Sequence, residues 1–190
     1  MMLQNLTDCN EPLLKRILMQ AARLAGADPK GVLVRVGQAR DLRIRGFAKC
    51  TRSAYLRDWT ATVEDYYTRN PGEKPVPVNG GVMYVQMPGW RKVHACRREL
   101  FPSTNGLTWA ESFFWLCFHE WFHIREFQEE LRGDRKTWAG GRRRANHAKR
   151  PEEIRVANAT YEAQQKPLAK TTQDCIIELA MWLEEQEDRT

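Results

Sequence analysis

The chain has 190 residues, of which 28% are charged and 10% aromatic, and its formal net charge is +6. This composition is typical of a folded globular protein and excludes a disordered chain. No apolar run approaches the roughly 18 residues that a membrane helix needs, and the first residues lack the basic-then-apolar order of a signal peptide. We therefore expect a single domain over residues 1–190, located in the cytoplasm and without contact to a membrane.

A helix is predicted near the start of the chain, over Glu11–Ala25. Pro12 suits the first turn of this helix, and Gly26 follows its last turn as a stop signal. The apolar residues between them recur at helical spacing and should face the core. They are Leu13, Leu14, Ile17, Leu18, Ala21 and Leu24.

The region of about residues 31–88 is predicted to be rich in strands. Alternating and β-branched residues indicate a strand over Gly31–Gln38, one or two strands over Leu42–Arg57, and a short strand over Val82–Pro88. Gly46 suits a bulge or a bend in this region. For Trp59–Arg69 the pattern does not decide between helix and strand.

The most clearly bounded element is a helix over about residues 109–131. Thr108 and Glu111 have the spacing of a capping box, and Gly133 is the expected stop signal. The first half of this helix is apolar on every side, so we expect it to lie near the centre of the domain.

Two further helices are predicted after this one. Pro151 opens the first, over about residues 151–166, and the second covers about residues 172–187. The order of a helix, several strands and three helices predicts an α+β fold. In this fold a small twisted sheet packs on the central helix.

The central helix carries the sequence HEWFH, which places His119 and His123 four residues apart. Positions i and i+4 lie above one another on a helix, so both imidazoles can bind one Zn²⁺. Glu120 can then act as the general base towards a metal-activated water. The competing interpretation is that both histidines are hydrogen-bonded core or surface residues. The strongly apolar surroundings argue against it, because unpaired imidazoles are costly to bury there.

A catalytic zinc needs a third protein ligand and one open position. Glu153 is the preferred candidate, because it lies in the first turn of the next helix and shares its predicted inward face with Ile154 and Tyr161. Glu152 and His147 are the alternatives. Acidic residues after a helix-opening proline also suit the helix dipole without any metal.

The motif HEWFH, followed by EIRVANATYEA at the start of the next helix, resembles the gluzincin group of zinc metallopeptidases. It is most similar to their small one-domain members, the minigluzincins. The family pairs H-E-x-x-H with E-x-x-A or E-x-x-D, whereas this chain has Val156 three residues after Glu153. The resemblance implies a zincin-like fold and zinc metalloendopeptidase activity, with His119, His123 and Glu153 as zinc ligands and Glu120 as general base.

Peptide hydrolysis also needs a donor for the oxyanion, and Tyr161, His147 and Arg155 are the candidates. Zincins hold an extended substrate along a sheet edge, which Val82–Met87 would supply here. A peptide or protein is therefore the expected substrate.

The alternative function is a catalytically silent, peptidase-like binding protein. It would contact nucleic acid or a protein partner through a basic loop that contains Arg142, Arg143 and Arg144. A SprT-type, DNA-associated protease, with His147 as third ligand and the same basic loop, is a further alternative. The metzincin pattern does not fit, because Glu126 and Glu129 stand where it needs a glycine and a histidine.

Overall fold

The computed structural model describes residues 1–42, 48–52, 56–74, 79–87, 107–133 and 151–187. Within these ranges the predicted α+β class is confirmed. The strands are β1 (Met2–Asn5), β2 (Leu33–Gly37), β3 (Ala48–Arg52) and β4 (Gly81–Gln86). The helices are α1 (Glu11–Ala25), α2 (Ala39–Leu42), α3 (Leu56–Arg69), α4 (Trp109–Arg132), α5 (Pro151–Gln164) and α6 (Lys170–Glu187).

The four strands form one sheet in the order β1-β2-β4-β3. Strands β1, β2 and β4 run parallel, and β3 is antiparallel to β4. The prediction that Val82–Met87 supplies a sheet edge is wrong, because β4 pairs with β2 on one side and with β3 on the other. In the described part of the chain, the edges of the sheet are β1 and β3.

The N-terminal region contains more helix than its sequence predicts. Strand β1 precedes the first helix and was not predicted, and α2 and α3 flank β3 within the region of about residues 31–88 that was predicted to be rich in strands. The undecided segment Trp59–Arg69 belongs to α3, and Gly46 lies outside the described residues. Val63 and Tyr66 of α3 are buried against the sheet. Tertiary packing of this kind overrides local propensity.

Apolar clusters cover both faces of the sheet. Because strand side chains alternate, Val34 and Leu33 point to opposite faces. Val34 belongs to the main core with residues of α1, α4 and α6, and Leu33 belongs to a smaller cluster under α3. The side chains of β2 are therefore buried on both sides, which explains its nearly continuous apolar sequence.

Helix α1 has the predicted bounds. The side chain of Asn10 accepts a hydrogen bond from the backbone N–H of Leu13, and Gly26 ends the helix with φ of 71°. The predicted apolar stripe is correct except at Leu24, which is exposed. Ala22 is buried instead, because α4 packs along this side of α1.

Helix α4 is the central element, as predicted. Thr108 and Glu111 form the capping box, in which each side chain accepts a hydrogen bond from the other residue's backbone N–H, and Gly133 ends the helix. Helix α4 packs against α1, α5, α6, β3 and β4. Among the described residues, no helix has the length and apolarity required to cross a membrane.

Candidate metal centre

His119 and His123 lie on one face of α4, as their spacing predicts. Their ring centroids are 5.0 Å apart, and the rings meet edge to face at 77°. Both side chains are buried. The well-capped central helix therefore presents two imidazoles together at one interior point.

Glu153 reaches these imidazoles from the first turn of α5. Its Oε2 atom lies 3.5 Å from Nε2 of His119 and 3.4 Å from Nε2 of His123. The Glu153 side chain is only 14% exposed. Of the two acidic residues in this turn, Glu153 rather than Glu152 joins the histidines in the group that the described residues form.

The distances from Glu153 to the two histidines fit a zinc ion. Ligands at tetrahedral positions around Zn²⁺, with bonds of about 2.0–2.1 Å, lie about 3.3–3.4 Å from one another. The distances from Glu153 to the histidines, 3.4 and 3.5 Å, are close to this value. Two imidazoles and one carboxylate also form the ligand set of many catalytic zinc sites, which keep a fourth position open.

Negative charge surrounds the histidines. Burial on its own lowers the pKa of His123, since it disfavours the charged imidazolium. The contact with Glu153 and the charges of Glu120 and Glu126 outweigh burial, so the pKa of His123 is raised above its ordinary value. The same electrostatic environment favours any cation that binds at this point.

Glu120 lies beside the two histidines on α4 and is buried. It follows His119 directly and precedes His123 by three residues, so it shares the histidine-bearing side of the helix. The charge of Glu120 helps to raise the pKa of His123. The role of Glu120 as general base stays a prediction.

The predicted inward face of α5 is wrong. Ile154 and Tyr161 are exposed, Tyr161 by 54%. The buried residues of α5 are Val156 and Thr160, three and seven residues after Glu153. This stripe follows the helical repeat from Glu153 more closely than the predicted one. The role of Tyr161 as oxyanion donor stays a prediction.

Several predicted residues lie outside the described part of the chain. They include His147, the alternative third ligand and oxyanion donor, and the arginines of the basic loop, Arg142, Arg143 and Arg144. The contact with nucleic acid through that loop therefore stays a prediction.

Sequence reasoning missed an ion pair next to the site. The Nε and Nη2 atoms of Arg155 donate to Oε1 and Oε2 of Glu126 at 3.3 and 3.4 Å. The sequence contains a signal for this ion pair, because Glu126 lies three residues after His123 and so falls on the same buried face of α4. A carboxylate on such a face needs a cationic partner.

Comparison with models of known protein families, with curated protein sequences and with solved structures gave no match. The fold and the site define an α+β protein with a histidine–histidine–glutamate group at metal-binding spacing. The function is therefore argued from the geometry of this group.

Proposed function

We propose that this protein is a zinc-dependent peptidase of the gluzincin type. The observation that carries the proposal is the convergence of His119, His123 and Glu153 from two helices, with Oε2 of Glu153 at 3.5 and 3.4 Å from the two imidazoles. Glu120 lies beside them in the same buried region. Three ligands, one open position and an adjacent carboxylate are the components that zinc-assisted peptide hydrolysis uses.

In the proposed mechanism His119, His123 and Glu153 would hold Zn²⁺, which when bound would act as a Lewis acid and lower the pKa of a water towards neutrality. Glu120 accepts the proton of the attacking water and passes it to the leaving nitrogen. Burial of Glu120 and the ligands limits bulk water near the reacting atoms, which strengthens their electrostatic effect.

We propose that an extended peptide is the substrate and that it lies along β3. This strand is an edge of the described sheet, and it packs beside α4. The outer backbone groups of an edge strand are available to pair with an added strand. Strand β4, the earlier candidate, has neighbours on both sides.

The proposal predicts a zinc protein whose hydrolysis depends on Glu120. Purified protein should contain about one zinc per chain. The Glu120→Gln variant should keep the zinc and lose peptide hydrolysis, because the amide cannot accept the proton. Elemental analysis and cleavage of a peptide library measure the two properties.

The histidine variants provide the control. His119→Ala and His123→Ala should each lose the metal, and full zinc content in both would contradict the proposal. Zinc without hydrolysis in the unmodified protein would favour the alternative, a catalytically silent binding protein. Salt-dependent retention on nucleic acid would then indicate that nucleic acid, rather than a protein, is the partner.

A further inference from the structure

We propose that the Glu126–Arg155 ion pair positions the third zinc ligand, an inference that rests on the zinc centre proposed above. Glu126 follows His123 by three residues on α4, and Arg155 follows Glu153 by two residues on α5. The pair therefore joins the two helices that carry the ligands, close to the ligands themselves. Its two hydrogen bonds, of 3.3 and 3.4 Å, run from one guanidinium to both oxygens of one carboxylate.

Among the described residues, the fully buried side chains of α5 make no hydrogen bond to α4. Val156 and Thr160 are the buried residues of α5, and the Thr160 hydroxyl donates to the Val156 carbonyl oxygen of its own helix. Apolar burial is non-directional, so it holds α5 against α4 without selecting one rotation. A bidentate pair of planar groups selects both distance and direction. A small rotation of α5 would move the Glu153 carboxylate away from the histidines.

The burial of the pair is asymmetric, which distinguishes it from an ordinary surface contact. The Glu126 side chain is 7% exposed and that of Arg155 is 42% exposed. A buried carboxylate needs its partner, because an unpaired charge in the interior is costly. Arg155 is thereby drawn to one point on α4, while the rest of its guanidinium remains accessible to water. The buried Glu126 carboxylate thus fixes the position of the Arg155 guanidinium, and this contact orients α5.

The test measures zinc affinity and the visible absorption of bound Co²⁺ in the full-length protein. The Co²⁺ spectrum reports the number and geometry of the ligands, which a merely structural pair would leave unchanged. Glu126→Gln and Arg155→Gln should each weaken zinc binding roughly tenfold or more. Both should also change the Co²⁺ spectrum towards that of Glu153→Ala.

Glu129→Gln is the matched control. It breaks another ion pair, between Arg125 and Glu129 at 2.8 Å, whose two residues both belong to α4. This variant should change zinc affinity by less than about twofold and leave the Co²⁺ spectrum unaltered, since the pair is partly exposed and lies within one helix. Equal effects of Glu129→Gln and Glu126→Gln would overturn the inference.

The double variant tests whether the two residues act as a unit. If they do, Glu126→Gln and Arg155→Gln combined should cost no more affinity than the worse single change, whereas additive losses would overturn the inference. Arg155→Lys, which keeps the charge but not the paired geometry, should recover part of the affinity; no recovery relative to Arg155→Gln would count against the positioning role.

If Glu126→Gln does not fold, the Arg155 variants alone test the inference, since the Arg155 side chain is partly exposed. Unchanged affinity and spectrum in all variants would refute the positioning role alone, while an unmodified chain that binds no zinc would refute the proposed function as well.

Discussion

At the scale of single residues, the two buried imidazoles determine what the site can bind. Nε2 of His119 and Nε2 of His123 approach the same oxygen of Glu153. In an apolar interior such polar groups need a charged or hydrogen-bonding partner. The Glu153 carboxylate is such a partner for His123, and in our proposal Zn²⁺ would be another.

Replacing Glu153 by alanine should weaken zinc binding far more than replacing Glu152. Removal of a ligand should exceed the roughly 10–100-fold loss caused by a residue that only supports a ligand. Glu152→Ala is the matched control, because it removes the same side-chain type from the same helical turn. Competition with a chelator measures both affinities, and equal losses would contradict Glu153 as the ligand.

The raised pKa of His123 predicts how zinc affinity depends on pH. In the metal-free protein, the protonated ring contributes stability that is present below the ordinary histidine pKa and is lost as the pH rises through the raised pKa. Zinc binds the neutral ring, so protons compete with it. Affinity should therefore rise from about pH 5 to about pH 8, more steeply than for a site with an ordinary histidine. Calorimetric titration in two buffers would detect the released proton, and pH-independent affinity would contradict this account.

At the scale of elements, the turn before β4 anchors α4 to the rest of the molecule. The Gln128 side chain accepts a hydrogen bond from the Asp28 N–H and donates to the carbonyl oxygens of Asp28 and Asn79. Gly80 has φ of 93° and lies against Ile124 and Gln128. These contacts hold the C-terminal half of α4, and with it the histidine-bearing face, against the sheet.

Gly80→Ala should destabilise the protein by about 1–3 kcal/mol, because the left-handed backbone disfavours a side chain. The added Cβ would also lie 3.0 Å from Cγ of Gln128 and 3.3 Å from Cγ2 of Ile124. Gly72→Ala is the control, since no described atom lies within 4 Å of its Cβ position, and it should change stability by less than about 0.5 kcal/mol. Urea unfolding measures both, and equal midpoints would show that the turn tolerates the substitution.

At the scale of the whole molecule, the proposed zinc site lies on α4, which contacts more elements than any other in the described part of the chain. Helix α4 contacts α1, α5, α6, β3 and β4, and α5 carries Glu153. Ligand binding to a native state stabilises it by mass action, whichever element holds the ligand. Zinc should therefore act on global unfolding rather than on one helix alone.

Zinc at about 100 times its dissociation constant should raise the free energy of unfolding by about 2.7 kcal/mol. Thermal unfolding of the unmodified protein, with and without zinc, measures this effect. His123→Ala should unfold at the same temperature in both conditions. A zinc-induced increase in that variant would place the stabilising ion elsewhere.

Much of the site was predictable because its parts are local. The i, i+4 spacing alone places His119 and His123 on one helix face, and the pairing of Thr108 with Glu111 marks where that helix begins. Glu153 was preferred over Glu152, but for an inward face that the structure does not have. Its contact with the histidines depends on how α5 lies on α4, which no spacing within α5 specifies.

By itself the sequence determined the ends of α1 and α4, the α+β class and the alignment of the two histidines, because capping and helical periodicity act within a few residues. Only the tertiary structure decided that β4 is interior and β3 an edge, that Trp59–Arg69 is helical, and that Arg155 meets Glu126. These features depend on pairing between distant segments. The free energy of such pairing comes from burial and hydrogen bonds that form only when the whole chain is folded.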